Sequence, residues 1–136
     1  MKQFTIILLL VAMYYAPAFS QTYKEMAAVK EMAAKGDPAS QFQLGVAYYY
    51  GEGAPLDMDM GMAYLRKSAD NGYDRAQFEI GMILFELGAN AEAKKYLEPV
   101  AEDFPLAAEK LAEIFEKGLG TKKDPEQARK YRRMAN

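Results

Sequence analysis

The chain has 136 residues, no cysteine, no histidine and a net charge of −2 at neutral pH. That length allows one domain or one short repeat array, and the charge balance offers nothing to a polyanion, so no nucleic-acid partner is expected. Without thiol or imidazole groups there are no disulfides and none of the usual nucleophile and base pairs; only carboxylates remain as metal ligands, which disfavours a zinc or other transition-metal site, and no metal or cofactor is expected.

At the N-terminus, Lys2 is followed by an apolar run from Ile6 to Met13 and then by Ala16-Pro17-Ala18-Phe19-Ser20-Gln21. A basic start, a short apolar stretch and a small-residue site are the marks of an export signal. Cleavage is expected after Ser20, which assigns residues 1–20 to a signal peptide and residues 21–136 to a periplasmic or secreted domain. The apolar run is well short of the roughly 20 residues that cross a bilayer, so no membrane span is expected after cleavage. Loss of Lys2 moves the net charge from −2 to −3. No cysteine lies near the cut, which rules out a lipid attached there, and the mature chain must be held together by packing alone.

The next stretch, from Thr22 to Lys35, is rich in strong helix formers, and Gly36 suits the left-handed position just past a helix end. A second helix is expected from Pro38 through Leu44 and Tyr48 to the break at Gly51-Glu52-Gly53. A third should run from Asp57 or Asp59 to Asn71 and close at Gly72. The fourth opens at Asp74, passes Ile80 and Leu84, and turns at Gly88-Ala89-Asn90 into a fifth helix from Ala91 to Glu102. The sixth carries Pro105, Leu111 and Phe115 and stops at Gly118-Leu119-Gly120. At the seventh, Asp124 is a helix cap, Pro125 suits the first helical position and Gln127 completes a capping box.

These elements repeat. Ser40-Gln41-Phe42-Gln43-Leu44-Gly45 returns 36 residues later as Ala76-Gln77-Phe78-Glu79-Ile80-Gly81, and a period in the thirties marks a helical array whose units bury their apolar faces by stacking. Counting Ser40 as zero, offsets 0, 4, 5 and 8 hold Ser40, Leu44, Gly45 and Tyr48, then Ala76, Ile80, Gly81 and Leu84, then Ala107, Leu111, Ala112 and Phe115. They share one helical face, and the small residues at offsets 0 and 5 let a partner helix come close. Tyr64, Tyr96 and Tyr131 recur in the second helices, followed by Leu65, Leu97 and Arg132. Leu44 precedes Leu65 by 21 residues but Ile80 precedes Leu97 by only 17, so the inner loop of the second unit is about four residues shorter. The expected architecture is all-α: a solenoid of antiparallel helix pairs with a half-repeat helix at 22–35 and units at 36–71, 72–102 and 103–136. The first helix matches the second half of a preceding unit, since Val29 and Ala33 take the register of Leu65 and Ala69. The outer helices act as caps, with Arg129, Lys130, Arg132 and Arg133 as the polar C-terminal face.

The stretch from Gln41 to Gly53 resembles the Sel-1-like repeat, a relative of the tetratricopeptide repeat with the pattern A-Q-x-x-L-G-x-x-Y-x-x-G-x-G. Asp57, Tyr64, Leu65, Lys67, Ala69 and Gly72 stand where that family shows D, W-Y, K, A and G. The third unit matches through Leu111, Phe115, Gly118, Gly120, Asp124, Ala128 and Tyr131; the second keeps the first helix and lacks the glycine loop. The resemblance implies a right-handed superhelix that works as an adaptor, often in bacterial envelopes, signalling or host contact, and it names no shared catalytic residues. Tyrosine replaces the usual tryptophan and Gly61 an alanine. The paired cysteines of some secreted members are missing, so an activity of such members does not transfer.

On the first helix of each unit, offsets 2, 6 and 9 lie on the far side from the packing face. They are Phe42, Val46 and Tyr49, then Phe78, Met82 and Phe85, then Glu109, Glu113 and Glu116. Two roles fit this stripe: packing on adjacent helices, or a concave groove for a peptide or protein with a basic residue. Three glutamates cannot all be buried without partners, which favours partial exposure. Phe42, Tyr49, Phe78 and Phe85 are then the expected anchors. Tyr48-Tyr49-Tyr50 could also stack on sugar rings, though only Tyr49 lies on the stripe.

Chemistry is a weaker fit. Beyond residue 20 there are two serines, Ser40 and Ser68, both at packing positions, and the glutamates fall at solvated helical spacings. Asp57-Met58-Asp59-Met60-Gly61 superficially resembles a calcium loop, but its glycine is one position early and Ser68 stands where the last acid belongs. Lys122, Lys123 and the basic C-terminal run fit a solvated cap. The expected function is a non-catalytic protein-interaction module acting as a monomer; the alternative is an envelope enzyme or a peptidoglycan-associated accessory factor.

Overall fold

The computed structural model describes residues 25–136; the expected leader and its cleavage point lie outside the described residues. Seven helices follow one another, and no strand occurs among the described residues. The first, α1, is helical over 25–34 of the described stretch. After it come α2 (Pro38–Tyr50), α3 (Met58–Asp70), α4 (Asp74–Glu86), α5 (Asn90–Leu97), α6 (Pro105–Lys117) and α7 (Pro125–Ala135), with a short 3₁₀ turn, Glu98–Val100, after α5. From α2 onward each helix packs on its neighbour in sequence, as stacked helix pairs require.

Within a pair, approach is set by missing side chains. A Cβ on Gly45 would lie 2.6 Å from Leu65 Cγ, one on Gly81 2.6 Å from Leu97 Cδ2, and one on Gly61 2.5 Å from the Tyr49 backbone nitrogen. Gly45 therefore meets Leu65 while Tyr49 meets Gly61, so rising numbers on α2 meet falling numbers on α3 and the pair is antiparallel. The expected packing positions form the core, except Tyr48, which is half-buried: Leu44, Ile80 and Leu111 are fully buried, as are Leu65 and Leu97 in the facing helices. Two of the recurrent tyrosines close their own pairs, and the third reaches back to the unit before. Tyr64 stacks on Tyr48 at 6.0 Å and Tyr131 on Phe115 at 5.7 Å, while buried Tyr96 donates to Asp70 at 3.1 Å.

Each inner loop is tied down in the same way. The carbonyls of Tyr48, Leu84 and Phe115, all at offset 8, accept the backbone N–H of Asp57, Ala89 and Asp124 at 2.8, 2.9 and 2.9 Å. Those three donors are the residues that open α3, α5 and α7. The tie survives the shortening of the second loop to residues 87–89, against 51–57 and 118–124 in the other units. It also alters the expected capping box. Asp124 caps α7 by accepting from Glu126 and Gln127 at 3.0 Å each, but its own N–H donates to the Phe115 carbonyl and not to the Gln127 side chain, so the reciprocal half of the box is not made.

The fifth helix is shorter than its pattern of helix formers predicts: α5 stops at Leu97, short of Glu102. Pro99 has no N–H and its ring crowds the carbonyl four residues before it, so the chain leaves through the 3₁₀ turn.

Candidate functional site

The stripe rides on α2, α4 and α6. Phe42, Val46, Tyr49, Phe78, Met82 and Phe85 are all half-buried, resting on the core with part of each side chain in solvent. Glu109 and Glu116 are exposed and Glu113 is half-buried. The two offset-2 rings share a further task. Phe42 tilts against Tyr73 at 5.4 Å and Phe78 stacks on Phe104 at 4.7 Å, and Tyr73 and Phe104 open α4 and α6. These rings thus join consecutive units as well as flanking the surface. Tyr49 meets Tyr50 edge-on at 5.0 Å, and Lys110 Nζ lies 5.0 Å from the centre of the Phe85 ring, where a cation gains from the π face.

Two separate hollows gather parts of the stripe. One, of about 520 Å³, lies between α1 and α2 and is lined by Phe42, Gln43, Val46 and Ala47 together with Met26 and Val29 of α1; Glu25 and Glu52 supply its carboxylates. The other, of about 290 Å³, brings Glu109, Glu113 and Glu116 together beside Ala112, Lys117 and Arg132. Glu113 accepts from Lys117 at 2.6 Å and Glu116 pairs with Arg132. The Lys117 hydrogen bond holds the Glu113 carboxyl below its ordinary pKa. The acidic end is thus partly neutralised from within, and its net field is weaker than three bare glutamates would give.

Met26 and Val29 lie outside the set of site residues that the stripe pattern predicts. The sequence does carry a signal for them, because Val29 has the register of Leu65, but their exposure depends on how α1 sits on α2. Elsewhere the polar groups serve the fold. Gln41 is fully buried, donating to the Ala33 carbonyl at 3.2 Å and accepting from Asn71 at 3.0 Å; buried Ser68 donates to the Pro38 carbonyl at 2.6 Å. Ser40 hydrogen-bonds the Asp37 carboxylate that caps α2. Tyr50 donates to Glu79 at 2.5 Å, and burial followed by that carboxylate pushes its phenol well above the ordinary range, so it stays a neutral donor.

Comparison with known proteins agrees with this geometry. The Sel1 repeat model matches residues 38–73 and 105–135, the two stretches that flank the unit with the shortened loop. A Sel1 repeat protein from Oxalobacter formigenes is similar in structure, with a TM-score of 0.70 and 29% identity over 82% of this chain and 88% of that one. So is c5321, a protective antigen of uropathogenic Escherichia coli strains that displays an SLR fold: TM-score 0.71, 25% identity, covering 81% of this chain and 25% of that one. In sequence, 89 residues, or 65% of this chain, are 27% identical to the uncharacterized protein NMB1327 of Neisseria meningitidis serogroup B. The chain spans only 19% of that relative's length. Stacked helix pairs, glycine-gated contacts, the repeated loop ties and these matches lead to one assignment: the chain belongs to the Sel1-like repeat family.

Proposed function

We propose that this protein is a non-catalytic adaptor of the cell envelope or secreted fraction, which binds a peptide or protein through the stripe on α2, α4 and α6. Sel1 repeat proteins generally mediate protein–protein interaction, and the stripe is the surface proposed for it in this chain. One observation carries it: six large apolar side chains on one stripe each keep part of their surface in solvent. Burying such a row against a partner is favourable by roughly 25 cal/mol per Å² of apolar area, and a few aromatic anchors supply most of the affinity of ordinary interfaces. Export fits the apolar leader of residues 1–20. Among the described residues no helix is long and apolar enough to cross a membrane.

The test is recovery of the partner by the purified protein and by a variant carrying Tyr49→Ala and Phe85→Ala. The variant is expected to keep its helical circular dichroism and to recover at least about tenfold less partner, as loss of two anchors worth about 1.4 kcal/mol or more would give. Unchanged recovery would show that the stripe is not the binding surface. Protein taken from the periplasm or medium should begin at Gln21; an N-terminus at Met1 would contradict export with cleavage. Turnover of peptidoglycan or a β-lactam by the same preparation would replace the adaptor role with an enzymatic one.

A further inference from the structure

The helix α1 meets α2 as α3 meets α4 in three hydrogen bonds that recur at a spacing of 36 residues. Gly36 N–H donates to Ala33 and Gly72 to Ala69; Asp37 N–H donates to Met32 and Tyr73 to Ser68. The side-chain amides follow suit, with Gln41 Nε2 on the Ala33 carbonyl and Gln77 Nε2 on that of Ala69, each at 3.2 Å. Residues 36 apart in the two helix pairs therefore occupy equivalent places.

Helix α2 covers the α3–α4 pair. The Gly45 notch receives Leu65, Gly61 receives the Tyr49 backbone, and the Tyr50 hydroxyl crosses to Glu79 on α4. Leu65 is fully buried as a result. The equivalents of Leu65, Met62 and Glu79 in the α1–α2 pair are Val29, Met26 and Gln43. Val29 is only half-buried, Gln43 is exposed, and all three line the 520 Å³ cleft. The cleft thus presents outward the kind of surface that α3 and α4 present to α2, with apolar side chains below and a hydrogen-bond acceptor, the Gln43 amide oxygen, at the side.

We propose that the α1–α2 cleft docks one amphipathic helix of a protein partner, a helix built like α2, with a small residue central on its apolar face and a hydroxyl near its C-terminal end. The proposal rests on the adaptor role and names the form of the partner. The small residue is needed opposite Val29 for the reason Gly45 is needed opposite Leu65. The hydroxyl meets Gln43 as Tyr50 meets Glu79. An extended peptide would offer side chains at a spacing of about 3.3 Å per residue and could not repeat the one-face contact of a helix.

The probe is this protein's own α2 segment, Asp37 to Gly51, made as a fluorescent peptide and held helical by a hydrocarbon link between positions 39 and 43, which are exposed in α2. Binding to the full chain is followed by fluorescence anisotropy. Saturable binding is expected, weakened at least about tenfold by Val29→Glu in the protein and kept by Val29→Leu. Gly45→Leu in the peptide should weaken it equally, which preserves the test should Val29→Glu unfold the protein. No saturable binding, or binding indifferent to both changes, overturns the proposal. So does a cross-linker at position 29 that joins residues 1–24 of the same chain instead of the peptide. If the peptide fails while partner recovery still depends on Tyr49 and Phe85, helix docking falls and the adaptor role stands. If the peptide binds while recovery is indifferent to those rings, helix docking stands and the stripe falls.

Discussion

Gly45 and Gly81 set the distance between the helices of their units, and filling either position carries a cost. Alanine at Gly45 would gain the better helix former, worth about 1 kcal/mol. Its Cβ, however, would stand 2.6 Å from Leu65 Cγ and 2.9 Å from the Leu65 backbone nitrogen. A backbone atom cannot swing away as a flexible side chain does, so the packing penalty of about 1–3 kcal/mol exceeds the gain. Urea unfolding of Gly45→Ala should show a net loss of stability; a gain would mean that α2 and α3 are not held this close. Ionisable residues add a pH dependence with a definite sign. Hydrogen bonds from Ser40, Arg66 and Lys117 lower the carboxyl pKa values of Asp37, Glu92 and Glu113 in the folded chain. A lowered folded value means that the stabilisation is present at neutral pH and is lost as pH falls through about 4 and below. Each contribution is small, because these groups are screened by solvent. The melting temperature should therefore fall between about pH 6 and about pH 3, and Arg66→Ala should flatten that fall slightly; a melting temperature that rose over this range would contradict the assigned pairs.

Among the elements, the helix ends carry most of what local sequence determines. Asp124 satisfies two N–H groups at the start of α7, so Asp124→Ala should cost about 0.5–2 kcal/mol in chemical denaturation; a neutral result would show that the 118–124 loop is held mainly by the Asp124 N–H to Phe115 tie, which alanine keeps. The end of α1 and the boundaries of α2, α3 and α4 are legible because glycine, proline and capping aspartate act through their own backbone angles and immediate neighbours. The core offsets are legible too, since burial of one face imposes helical periodicity on Leu44, Ile80 and Leu111. Pro99 is equally visible, yet the helix formers on either side of it outweigh it in a reading by propensity, although the missing N–H decides the outcome. The binding stripe is legible only as a pattern. That Phe42 leans on Tyr73 and Phe78 on Phe104 depends on how one unit turns relative to the next, which no local rule fixes. The same holds for Gln41: its repetition as Gln77 marks it as important, but its acceptor, the Ala33 carbonyl, belongs to another helix. Met26 and Val29 enter the cleft for a related reason, as their place in it depends on how α1 sits on α2.

At the scale of the molecule, the described residues form a row of helices in which most contacts are with the next helix along, so stability is close to a sum of unit and interface contributions. Its proposed binding surface is assembled likewise, one strip of side chains from each first helix, and no single unit contains it. Whether another protein binds on this composite stripe is decided by photo-cross-linking, with a photoreactive residue placed at Phe85 on the stripe and, in a second variant, at exposed Lys67 on α3, each exposed to envelope and secreted fractions of the source cells. One discrete adduct is expected from position 85, lost with Tyr49→Ala, and none from position 67. Equal labelling from both positions, or an adduct at position 85 indifferent to Tyr49, would show that the stripe is not where the partner sits.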